Sequence, residues 1–298
     1  MDAFRIGQNP WGEEVLLGLS WNVVWLVVAG GLWFMAAHAY YARRGKGHAT
    51  LQSPAPPGLP EKITRHGRSA RWSHWALAAA TLALLITAFV PILGLKFPWV
   101  TVHWVAGIVL SAYIVYHVLD TLVRLSWARM WIGPRETIDA FSRVRAFTNG
   151  GEADLSKRPG KWGIENKVFH HLTAVAGFGV VLTGILMMAR IDTWFWRANP
   201  YFRDIPDTTW GWVFVIHGVC AAAFVGLIMA HLYLAFRPDK LWFTRSMFKG
   251  WITREEYLGH FNPARWRVVK PGAKTAEPEK EAVPAAARAS SSLAGTRE

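Results

Sequence analysis

Apolar residues in this chain neither alternate nor gather on one face. They run almost unbroken through five stretches, roughly Val15 to Tyr40, Trp75 to Leu95, Val100 to Val123, Phe169 to Ala189 and Gly211 to Phe236. A hydrocarbon layer ~30 Å thick takes about 20 helical residues to cross, so each stretch is long enough to span it. None has the polar face that a surface helix of a soluble protein carries. The pattern predicts an all-α integral membrane protein: a four-helix bundle preceded by one additional N-terminal transmembrane helix. The expected divisions are 1–41 for the extra helix, 42–72 for a cytoplasmic linker, 73–268 for the bundle with its cytoplasmic loop and tail, and 269–298 for a C-terminal tail. Pro54, Pro56, Pro57 and Pro60 favour an extended linker. The stretch Glu136 to Phe147 places Ile138, Phe141 and Val144 at helical spacing, as in a helix lying at the membrane surface. From about Lys270 the chain is Ala, Lys, Glu, Pro and Ser, too polar for a core, and is expected to be disordered.

Charge adds an orientation. The 298 residues are 52% hydrophobic yet carry a formal net charge of +13. Of the 33 Lys and Arg, 7 fall in 42–72, 9 in 124–167 and 12 in 237–298, all on one side if each stretch crosses once. Arg5, Lys96, Arg190, Arg197 and Arg203 are left for the other side. By the positive-inside rule the N-terminus of this multi-pass protein is expected outside and the C-terminus in the cytoplasm. The basic balance therefore reflects topology and gives no reason to invoke nucleic acid. Glu13 and Glu14 precede the first stretch and the basic cluster follows it, the reverse of a signal peptide, so the stretch reads as a retained helix. Many of the 18 tryptophans, among them Trp72, Trp75, Trp99, Trp104, Trp210, Trp212 and Trp242, sit at span ends, where indoles anchor in the headgroup zone of the lipid. The single cysteine, Cys220, lies mid-span and rules out a disulfide framework.

Histidines carry the chemistry. His74, His103, His117, His170, His171, His217 and His231 lie in or at the edge of the last four stretches, where ionisable groups are costly unless they serve a function. His217 and His231 are fourteen residues apart, which is ~21 Å along a helix and within ~40° of the same direction. One helix thus offers an imidazole near each membrane face, too far apart to share one zinc ion. A bis-histidine haem takes one axial ligand from each side of the ring. His103 matches His217 in depth on the outer side. On the inner side His231 can pair with His74 or with His117, and the fourteen-residue interval from His103 favours His117. Gly107, Gly177, Gly179 and Gly184 leave room for a flat macrocycle or for close helix packing.

The segments Arg71-Trp72-Ser73-His74-Trp75, His103-Trp104-Val105-Ala106-Gly107, Gly160-Lys161-Trp162, Glu165-Asn166-Lys167 and Gly259 to Trp266 (GHFNPARW), with His217 and His231, make residues 62–268 resemble a known family. It is the cytochrome b (gamma) subunit of respiratory formate dehydrogenase, with the related hydrogenase and thiosulfate reductase cytochromes. The resemblance implies a haem-binding bundle with two haem b groups, the outer on His103 and His217 and the inner on His74 and His231, leaving His117 as the alternative ligand. It further implies a quinone, ubiquinone or menaquinone, near the inner haem. Glu165, Asn166, His170 and His171 are the candidate contacts, although an asparagine expected early in that segment is Gly163 here. Arg68 and Arg71 are candidates for haem propionates. The expected partners are a periplasmic iron-sulfur subunit and a catalytic molybdopterin or hydrogenase subunit. The chain would be an electron-transfer subunit with no substrate-oxidising centre of its own. A transporter or scaffold without haem is the alternative of another class.

Overall fold

The computed structural model describes residues 2–44, 53–124, 130–149, 155–198 and 205–268. Five helices are long and apolar enough to cross a membrane: α1 (Trp21–Arg44), α2 (Arg68–Phe89), α3 (Trp99–Arg124), α5 (Ile164–Met188) and α6 (Asp207–Phe236). The amphipathic α4 (Pro134–Asn149) joins α3 to α5, and the short α7 (Leu241–Lys249) and α8 (Arg254–His260) follow α6. The expected helical membrane bundle with an extra N-terminal span is therefore what the chain forms.

The chain departs from expectation at its start. Val15 to Leu19, read as the opening of the first span, belongs to a hairpin of β1 (Phe4–Gln8) and β2 (Glu14–Leu19), and α1 begins only at Trp21. The turn Asn9-Pro10-Trp11-Gly12 decides this. Asn9 Oδ1 accepts from the amides of Trp11 and Glu13 at 3.1 and 2.9 Å, and Gly12 takes the left-handed φ of 85°. Hydropathy is indifferent to such a turn and simply merged an apolar strand with the helix behind it.

Residues Met1–Trp266 form one compact unit. Within it α2 packs on α3, α5 on α6, α3 on α5, and α1 on α6. At the end of the bundle where α2 begins and α6 ends, a small cap is built on β3 (Lys62–Thr64) paired antiparallel with β4 (Trp251–Thr253). The proline-rich linker, expected to be extended, instead turns at residues 56–59, where the Leu59 amide donates to Pro56 O at 3.3 Å and Gly58 has a φ of 72°, and it is not free of the fold. The Ser53 amide donates to Leu258 O at 3.0 Å, and Ser53 and Leu59 are buried against the cap. Arg65 is the keystone. It is 1% exposed, its guanidinium lies 4.4–5.6 Å from the rings of Trp162, Phe243, Phe261 and Trp266, and Nη2 donates to Lys161 O. The expected disordered tail lies outside the described residues.

Candidate functional site

The helix α6 carries His217 ten residues in and His231 five residues before its end, so it presents one imidazole near each end of the bundle. Each faces a histidine from a helix that does not pack closely on α6. The His103 ring of α3 lies 6.3 Å from that of His217, centroid to centroid. The His74 ring of α2 lies 6.2 Å from that of His231. An iron held by two imidazole nitrogens, each at ~2 Å, separates the ring centroids by roughly 6 Å. Both gaps fit that requirement. The close helix pairs are α2 with α3 and α5 with α6, whereas the histidine pairs bridge α3 to α6 and α2 to α6. The space a macrocycle needs therefore lies between helices whose backbones stand apart.

Hydrogen bonds aim the outer pair. His103 Nδ1 meets Thr87 Oγ1 of α2 at 2.8 Å, and His217 Nδ1 meets Thr183 Oγ1 of α5 at 2.8 Å. Each hydroxyl also lies within bonding distance of the carbonyl four residues back, Ala83 O at 2.8 Å and Gly179 O at 2.6 Å. A hydroxyl has one proton; given to the carbonyl, it leaves lone pairs to accept Nδ1–H. Each ring then keeps its proton on Nδ1 and turns a bare Nε2 lone pair to the bundle interior, the form a metal takes. Reading the sequence did not pick out Thr87 or Thr183. The signal was a hydroxyl inside an apolar span, one residue type among many until its neighbour across the bundle is known.

On the inner level, His231 faces His74 and stacks on Phe169 at 5.1 Å. His117, the partner that spacing favoured for His231, faces His170 of α5 instead, at 5.9 Å. His170 in turn neighbours His171, whose Nδ1 donates to Lys167 O at 2.7 Å. Four helices thus contribute one imidazole each, in two facing pairs, near the inner end of the bundle. The other candidates scatter. Glu165 is exposed and pairs with Arg143 at 3.3 Å. Asn166 sits in the first turn of α5, whose N-cap is Gly163 rather than Asn166. Arg68 is exposed at the start of α2, while Arg71 donates from Nη1 to Phe248 O and keeps a buried Nε without a partner. Beside it His66 is buried with Nε2 unpartnered. Orphaned donors of this kind suit an anionic group such as a propionate. Among the described residues no cluster of three or more His, Cys, Asp or Glu could hold a free metal ion, so the paired arrangement is the one to explain.

A family model described as prokaryotic cytochrome b561 matches residues 65–250, which include His74, His103, His217 and His231. No curated protein matches the chain.

Proposed function

The chain belongs to the prokaryotic cytochrome b561 family, membrane proteins that bind b haem, and we propose that it is the membrane subunit of a formate dehydrogenase-like complex. In this reading it takes electrons from a periplasmic iron-sulfur subunit and delivers them to a quinone at the cytoplasmic side. The observation that carries the proposal is the pair of facing imidazole couples, 6.3 and 6.2 Å apart, at two levels of one helix. A haem b in each couple supplies reversible one-electron exchange, which imidazoles alone do not. His103 and His217 would hold the outer group, and His74 and His231 the inner one. Arg71 Nε and His66 Nε2 offer donors to inner propionates, with Arg68 available at the surface. Quinone reduction consumes two electrons and two protons; His170 and His171, with Glu165 and Asn166 on the same helix start, are the groups that would bind the ring and pass protons. Moving each electron inward against ~100 mV stores about 2.3 kcal/mol.

A second reading, favoured by the breadth of the resemblance, makes the chain the cytochrome subunit of a hydrogenase or a thiosulfate-type reductase. Co-purification separates the two: a molybdopterin subunit supports the first, and a nickel hydrogenase large subunit supports the second. The haem reading itself is tested by pyridine haemochrome assay on the purified chain. Two haems per chain are expected, His74→Ala should remove half, and His117→Ala should remove none. Less than about one haem per chain in the unaltered protein overturns the proposal, as does half-loss in the His117 variant alone for the ligand assignment.

A further inference from the structure

We infer that Thr87 and Thr183 are positioning residues that hold the outer centre at a lower midpoint potential than the inner one, so that electrons run downhill inward. The inference rests on the two-haem reading above. At the outer level all four bundle helices contribute: α3 and α6 give the imidazoles, α2 and α5 give the hydroxyls. Both threonines are buried, at 1% and 4% exposure, and both meet Nδ1 at 2.8 Å. A threonine that merely satisfied its own hydroxyl would need the carbonyl four residues back and nothing more. Two of them, 96 residues apart in sequence, making the same contact on the two facing rings is a different matter.

An acceptor on Nδ1–H makes Nε2 a stronger electron donor, and a stronger donor favours the oxidised, more positive iron. With both axial imidazoles so treated, the outer potential falls. The inner couple differs: no hydrogen bond to a ring nitrogen of His74 or His231 occurs among the described residues. Its potential is therefore not lowered in this way, and the two centres are pushed apart.

Redox titration followed at the haem absorbance of the purified chain tests this. A His74→Ala background retains the outer haem alone and identifies its step. In that background Thr87→Val and Thr183→Val should each shift the midpoint upward, and the double variant should shift it further. Thr87→Ser, which keeps the hydroxyl, should restore it, whereas in a His103→Ala background neither valine should move the inner step. Thr87→Cys, a weaker acceptor of similar volume, should raise the potential by less than valine and serves where valine loses haem. Full haem content with an unmoved outer midpoint, or an outer step above the inner one in the unaltered protein, overturns the inference and leaves the haem reading standing. An unaltered protein without haem overturns both.

Discussion

His66 is buried between Arg65 and the aromatic cap, and its pKa is lowered to about 3 by that burial and by the nearby charges of Arg65, Lys161, His74 and Arg71. His260, stacked on Trp242 at 4.5 Å, is lowered to about 4, again mainly by burial. A histidine that is neutral when folded but free to protonate when unfolded contributes stability that is complete above pH ~6.5 and is lost as the pH falls towards the folded value. For His66 alone the loss at pH 5 is about 2 kcal/mol. Thermal unfolding in detergent should therefore show a midpoint that drops between pH 7 and pH 5, and His66→Gln should flatten that slope. A slope unchanged by the substitution would mean that other groups set it. At the same scale, Arg65 shows how a cation survives burial without a carboxylate. Its Nε and Nη1 lack hydrogen-bond partners, and four ring faces supply the attraction. Burial draws its pKa down to about 10, which leaves it charged at neutral pH.

Among the elements, α6 carries the most. It bears His217 and His231, and its first half is gripped by the hairpin and its second half by α1. A Cβ on Gly211 would meet Leu16 Cβ and lie 2.9 Å from Leu16 O, so β2 runs directly against the helix backbone there. Further in, Gly31 of α1 admits Met229 and Gly226 of α6 admits Val27. At the inner end Tyr233 OH and Arg237 Nη1 both lie 3.1 Å from His38 Nδ1. Gly211→Val should lift the hairpin from α6, measured as faster proteolysis between residues 2 and 20 with the haem content unchanged. Protease resistance equal to the parent would show the contact to be dispensable. The amphipathic α4 is fixed in another way. Its apolar stripe of Ile138, Phe141 and Val144 is exposed, as a membrane-surface helix requires, while its opposite side is tied to the bundle. Lys167 Nζ, 5% exposed as a residue, bonds both Glu136 oxygens at 2.8 and 2.7 Å and Trp131 O at 2.9 Å. Glu136→Ala strands a buried charge and should cost about 3 kcal/mol, read from denaturant unfolding, whereas adding Lys167→Met should recover much of that loss. Equal destabilisation in the single and double variants would show that the pairing is not the cause.

For the molecule as a whole, the distribution of cations predicts an orientation that labelling can check. With Cys220 replaced by serine, a cysteine at Asn9 should react with an impermeant thiol reagent on intact cells, and one at Asp239 only after the inner membrane is opened; the reverse pattern would invert the orientation. Span number, the helical class and the two histidine levels on α6 were legible from the chain because each depends on local quantities: run length against bilayer thickness, and fourteen residues at ~1.5 Å rise. Reading hydropathy alone did not reveal the hairpin, since an apolar strand and an apolar helix score alike and only the Asn9 turn tells them apart. It could not choose the partner of His231 either. His74 and His117 both stand at a suitable depth, and spacing along one helix says nothing about which neighbour that face meets. The packing of α2 with α3 and of α5 with α6 sets which rings meet: His74 lies opposite His231, and His117 opposite His170. The same arrangement brought Thr87 and Thr183 onto the outer imidazoles. The sequence by itself thus determined how many helices cross and at what depth their histidines lie, because rise and hydropathy act within one segment. Which side chains face each other, and so which groups can tune a centre, was decided only by the tertiary structure, because lateral order in a bundle is a property of several helices at once.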